Sequence, residues 1–144
     1  MAPRNAAQAY IRVGLETGVI AASPHGLVLM LFDGALCAVS DADVHLLHGR
    51  VADKGEAISR AISIINQGLR ASLDQTQGGK IAGYLLELYD YMSRRLLFAS
   101  LKNDRTALRE VTQLLGELRS SWAAIGSTVN KTVVSAVASR REAA

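Results

Sequence analysis

From Pro24 onward the apolar residues of this chain recur every three or four positions, and the breaks in that rhythm are short and polar. Such spacing gathers them on one face of a helix, whereas a half-buried strand would need strict alternation. The first helix opens at Ser23-Pro24. Serine offers an oxygen to exposed backbone amides, and proline at the first helical position costs no hydrogen bond that the helix would have made. It runs to about His48, with Leu27, Leu31, Ala35, Ala38 and Ala42 on one face. Gly49, Asp53 and Gly55 interrupt the pattern, and a second helix carries Ile58, Ile62, Ile65, Leu69 and Leu73 in a stripe. The polar, glycine-rich run 74–79 is a turn.

The third helix, residues 79 to about 101, sets Ile81, Leu85, Leu88, Met92 and Leu96 on a stripe. Tyr84, Leu86, Tyr89, Tyr91 and Leu97 reach round the cylinder, so this helix is buried on more than one side or bears a sticky outer face. Asp104 caps a fourth helix, in which Leu108, Val111, Leu115, Leu118, Trp122 and Ile125 follow one another by three and four, as in the seam of a bundle. Gly126 is read as its end. Residues 127–144, small and polar with valines at helical spacing, form a tail or a short frayed helix. Residues 1–22, interrupted by Gly14 and Gly18, form an arm. The pattern predicts an all-α fold, an antiparallel up-down four-helix bundle over 23–126 between that arm and that tail.

Composition agrees. At 144 residues, 49% hydrophobic, the chain makes one domain, and with proline confined to Pro3 and Pro24 nothing after Pro24 forbids helix. The sole cysteine, Cys37, has no partner in its own chain, suits a reducing compartment and is read as a small buried thiol. The start of the chain lacks the continuous apolar core of a signal peptide, and the apolar run Leu27 to Phe32 falls far short of the roughly 20 residues of a membrane helix. A cytosolic protein without membrane insertion is expected. The formal charge of +3 concentrates in Arg94, Arg95, Lys102, Arg105 and Arg109. With no helix-turn-helix, zinc finger or aromatic RNA-binding signature beside it, this cluster reads as a solvated helix face, and no nucleic acid is expected as a partner.

Catalytic chemistry finds no residues. No glutamate is followed three positions later by histidine, as a di-iron bundle requires. His25, His45 and His48 make an incomplete metal set, and Gly78-Gly79-Lys80 lacks the spacing of a phosphate loop. No catalytic, metal or cofactor-binding residue is assigned, and no cofactor is expected. Tyrosines are the excess: Tyr84, Tyr89 and Tyr91 crowd one helix and Tyr10 lies in the arm, and tyrosine is frequent where a surface is half wet.

Several separated motifs occur in a recognisable order: Ala22-Ser23-Pro24, Met30-Leu31-Phe32-Asp33-Gly34, Leu73-Asp74, Gly78-Gly79, Leu88-Tyr89-Asp90-Tyr91-Met92, Asn103-Asp104, Glu110-Val111 and Trp122. Over residues 8 to 125 the chain resembles the FliS family, the flagellin-specific secretion chaperones of the bacterial flagellum. Tyr84 departs from the asparagine the family commonly has there. The resemblance implies an antiparallel helical bundle without enzymatic activity. It implies a cytosolic partner, the C-terminal segment of flagellin, held so that it neither polymerises early nor loses competence for flagellar type III secretion. A component of the export gate is a further candidate partner, and the free protein is expected as a monomer or weak dimer. The family's arm covers part of the client surface, a role that falls here to Tyr10 and Ile11. For client contacts the residues to watch are Ile64, Gly68, Leu86, Tyr89 and Leu114, apolar or small yet off the main seams. The alternatives are a helical adaptor or chaperone for another secreted protein and a basic nucleic-acid-binding bundle.

Overall fold

A computed structural model of the chain describes residues 23–73 and 75–143, with side chains over 23–73 and 78–126. Tyr10 and Ile11 lie outside the described residues. The elements are α1 (Pro24–Leu47), α2 (Val51–Ser63) continuing as a π-helical turn (Ile64–Leu69), α3 (Gln75–Lys102), broken at Gly79, and α4 (Arg105–Ala143). Among the described residues there is no strand. α1 packs on α2 and α4, and α3 packs on α4 and α2, which is the four-helix bundle the pattern predicts.

Local chemistry starts and stops these helices. Ser23 Oγ accepts from the Gly26 amide at 3.0 Å, and Pro24 follows as the first helical residue. α1 closes on Gly49 at φ 70°, with the Arg50 amide donating to the His45 carbonyl and the Gly49 amide to that of Leu46. That left-handed closure satisfies carbonyls the helix leaves open. Asn103, at φ 52°, ends α3 the same way, the Asp104 amide reaching back to Ala99. Asp104 then caps α4, its Oδ1 accepting from the Thr106 amide at 2.9 Å.

Polar pairs between helices set the register. Arg119 meets Asp33, and Arg105 binds both oxygens of Asp43 at 2.8 and 3.1 Å, so α4 runs antiparallel to α1. Arg60 meets Asp41 at 3.1 Å between α2 and α1. Ser93 with Asn66 and Arg70 with Asp90 align α3 with the π turn and its exit. Arg95 meets Glu110 at 2.7 Å between α3 and α4. Exposed pairs of this kind contribute little stability each, and their value lies in choosing one register over its neighbours. Two of the five clustered cations, Arg95 and Arg105, are thereby matched to carboxylates.

The core is built from Phe32, Ala35, Val39 and Ala42 of α1, Ile58, Ala61, Ile65 and Leu69 of α2 and its π turn, Tyr89, Met92, Leu96 and Ala99 of α3, and Leu108, Val111 and Leu115 of α4. It differs from the expected core at several points. Leu27, Ile81 and Ile125 are exposed, each at the end of a stripe where neighbouring helices no longer cover it. On α3 the buried line runs through Ala82, Tyr89, Met92 and Leu96, one position round from Ile81. Cys37 is exposed, not buried, because it sits two residues from both Ala35 and Val39 and therefore points away from their face. Nor does Gly126 end the fourth helix, which continues to Ala143. A single glycine costs about 1 kcal/mol relative to alanine, too little to stop a helix flanked by competent formers.

The Arg105 guanidinium, chiefly by its hydrogen bonds, holds the Asp43 carboxyl below its usual 3.8, and Tyr91 and Arg95 do the same to Glu110. A lowered folded-state value adds stability above the unfolded value and loses it as pH falls through the lowered one. Denaturant midpoints should therefore show Arg105→Gln less stable than the parent at pH 7, with the two converging at pH 2.

Candidate functional site

The least covered helix is α3. Ile81 and Tyr84 are 70% and 69% exposed, Leu88 and Tyr91 follow at spacings of four and three, and Phe98 lies two turns further on. At about 1.5 Å per residue this apolar line extends roughly 25 Å along the helix, about a quarter turn round from the Tyr89–Met92–Leu96 line that enters the core. A polar staple fixes its middle. The Tyr91 hydroxyl donates to Glu110 Oε1 at 2.9 Å, Arg95 Nε donates to the same oxygen at 2.7 Å, and the Arg95 guanidinium lies 5.0 Å from the centroid of the Phe98 ring. The hydrogen bond to Glu110 pushes the Tyr91 phenol up. Tyrosine, arginine and phenylalanine are thus held in place before any partner arrives, which lowers the entropy cost of binding.

The five residues singled out for client contact do not converge on one groove. Ile64 and Gly68 lie in the π turn against α1: a Cβ at Gly34 would stand 3.5 Å from Ile64 Cδ1, and one at Gly68 would come within 2.8 Å of Leu31 Cδ2. Glycine at 68 is what lets the turn lie so close. The π bond itself joins the Arg70 amide to the Ile65 carbonyl at 2.8 Å. Leu86, half-buried, is one helical turn before Asp90, whose partner Arg70 leaves the π turn, so it marks the opposite flank of α3 from the staple. Leu114 is half-buried one turn after Glu110, on the α3 side of α4. Tyr89 is 3% exposed in the core, and burial pushes its phenol up to about 12. Ile81, expected on the core stripe, is exposed, and Phe98 joins it; their signal in the sequence is the run Ile81, Tyr84, Leu88 and Tyr91 at three and four, with Phe98 two turns on.

Histidine and tryptophan define the opposite end of the bundle. The His25 ring stacks on Trp122, centroids 4.8 Å apart and planes 14° from parallel, and Trp122 Nε1 donates to the His25 carbonyl at 3.1 Å. Gly126 leaves the space in which that imidazole sits. His45 and His48 are at the other end of α1, and among the described residues no three metal-ligating side chains gather. No described helix is long and apolar enough to cross a membrane.

The family model described as "Flagellar protein FliS" matches residues 6–129, a span that contains the whole packed bundle. The chain belongs to the FliS family. It is 53% identical over 115 residues to the flagellar secretion chaperone FliS of Salmonella typhimurium, covering 80% of this chain and 85% of that one. The flagellar secretion chaperone FliS of Escherichia coli is 43% identical over the same shares. That of Bacillus subtilis is 32% identical over 122 residues, 85% of this chain and 86% of its own. FliS membership extends to the α3 stripe, the staple and the Asn103-Asp104 turn, all within the matched span.

Two measurements check this geometry. In an ultraviolet titration the difference between the parent and Tyr89→Phe should isolate one phenol that ionises near 12, two units above an ordinary tyrosine. Gly126→Ala should drive the His25 ring off Trp122 and move the tryptophan emission to longer wavelength. Its stability should change little, since the lost aromatic pair, about 0.5–1.5 kcal/mol, is offset by the helix gain of about 1 kcal/mol.

Proposed function

We propose that the protein is a cytosolic export chaperone that holds the C-terminal segment of flagellin along the outer line of α3, so that the client neither polymerises early nor loses competence for flagellar type III secretion. The observation that carries this reading is the stripe from Ile81 to Phe98, on which Ile81, Tyr84, Tyr91 and Phe98 are exposed and only Leu88 packs against the core. Membership of a family whose relatives are named flagellar secretion chaperones supports an export role, and flagellin as the client is the proposal.

Magnitudes support a surface of this size. Each leucine-sized side chain moved out of water gains about 1.5–3 kcal/mol. Ordering a disordered client costs about 2–5 kcal/mol or more, so three or four anchors along the stripe suffice. Leu114 borders this surface on the α4 side, Tyr89 backs it from the core, and Leu86, on the opposite flank of α3, is assigned a separate contact. Ile64 and Gly68, on the α1 side, are assigned a separate contact for a client long enough to wrap the bundle. In this scheme the role of covering part of the client surface falls to Tyr10 and Ile11, which lie outside the described residues, and the free protein is a monomer or weak dimer. A component of the export gate is the further partner in this scheme. A binding surface is sufficient for all of it, and neither catalysis nor a cofactor enters.

Calorimetry with a peptide from the C-terminus of flagellin tests the reading. One peptide should bind per chain, with a negative heat-capacity change and little dependence on salt. Replacing Ile81 and Tyr84 together by Asp should lower the affinity at least about a hundredfold, two anchors being lost, without altering the thermal transition, because both side chains are exposed. Unchanged affinity in that variant would overturn the assignment. Binding that instead fell steeply with salt would favour an electrostatic partner such as nucleic acid.

A further inference from the structure

Where α1 passes to α2 and α3 passes to α4, the two turns are tied together by a lysine. Lys54, in the first turns of α2, is 4% exposed, and its Nζ donates to the Ser100 carbonyl at 2.9 Å and to Asn103 Oδ1 at 2.6 Å. Both acceptors are neutral. An ammonium has three N–H donors, so one remains unspent. Among the described residues no carboxylate forms an ion pair with it: Asp104 gives its oxygen to the Thr106 and Ala107 amides, and Asp43 is occupied by Arg105. The carbonyl end of α3 offsets part of the charge. A cation held this far from water without an anion is nevertheless expensive.

Beside it lies a cavity of about 180 Å³, lined by Leu46, Gly49, Arg50, Val51, Lys54 and Asn103. It brings a second cation next to the first, since Arg50 lines it too, is exposed, and among the described residues meets the His45 ring, Nη1 to Nδ1 at 3.5 Å. Gly49 leaves open space above its backbone. The lining also carries apolar side chains: Val51 is 68% exposed and Leu46 is half-buried. Two cations, a side-chain amide and the apolar side chains of Leu46 and Val51 around one concavity complement an anionic oxygen pair carried next to apolar side chains.

We propose that this cavity is a carboxylate-binding site that takes a glutamate or aspartate side chain from a partner segment whose neighbouring residues are apolar. The free N–H of Lys54 and the Arg50 guanidinium donate to the carboxylate, and Val51 and Leu46 receive its neighbours. Binding here uses none of the side chains of the Ile81–Phe98 stripe and does not depend on the client reading. The protein would then have two docking surfaces, one apolar along α3 and one charge-selective at the turn-bearing end.

The test uses the full chain and two capped tetrapeptides, acetyl-Leu-Glu-Leu-Leu-amide and its Gln counterpart, followed by NMR at the Lys54 side chain and the Asn103 amide. The Glu peptide is expected to shift both signals and to bind about tenfold or more tighter than the Gln peptide, as for hydrogen bonds to a charged group. Arg50→Gln, at an exposed side chain outside the core, is expected to remove most of that difference, and Lys54→Met, if it folds, all of it. Equal affinity for the two peptides in the parent overturns the proposal. So does a Glu peptide that leaves Lys54 and Asn103 unmoved while shifting the α3 stripe. Loss of flagellin binding in the Ile81/Tyr84 variant bears only on the other surface.

Discussion

A helix has one circumference, and α3 has to serve two surfaces with it. One line of side chains, Ala82, Tyr89, Met92, Leu96 and Ala99, closes the core against the other three helices. A second, Ile81, Tyr84, Leu88, Tyr91 and Phe98, lies about a quarter turn away and reaches water at every position but Leu88, which packs against the core. Burying both would need a fifth helix. The small residues Ala82 and Ala99 let α3 approach its neighbours on the inner side, while the bulkier tyrosines are left outside. The uncovered line, the staple that steadies it and the assigned client surface all descend from that division.

The bundle tolerates such a helix because its register is held elsewhere. Arginine–carboxylate pairs join α1 to α4 at two levels, near Asp33 and near Asp43, and join α2 to α1 near Asp41. The Lys54 bridge pins the α3–α4 turn to the start of α2. At the other end Trp122 takes hold of the first turn of α1, and the small residue Gly126 gives the imidazole its place. Each of these is a weak or costly interaction taken singly. Together they remove the sliding and rotation that a seam of aliphatic side chains alone would permit, and a fixed outer surface on α3 requires that.

Helix existence and helix starts were legible because their causes are local. Ser23-Pro24 and Asp104 act on amides two or three residues away, and the three-and-four rhythm needs only its own segment. The π turn at Ile64–Leu69 was not legible, since its reason is the approach of Gly68 to Leu31, a contact with another helix. The candidate site was legible only in kind. Surplus apolar residues on α3 announced a sticky helix, but nothing in the spacing distinguished the Ile81 line from the Ala82 line. Tyr89, chosen for contact, went to the core, and Ile81, chosen for the core, went to water.

By itself, then, the amino-acid order determined four amphipathic helices, their caps, their antiparallel connection and the resemblance to FliS, because i to i+4 hydrogen bonding and short turns depend on residues close in the chain. Tertiary structure alone decided which apolar line of α3 faces inward, that Cys37 is exposed, that α4 passes through Gly126, and that Lys54 is buried without an anion. Those outcomes turn on partners far away in sequence, Lys54 with Asn103 across 49 residues and Trp122 with His25 across 97. Spacing within a segment carries no information about which face a remote helix will cover.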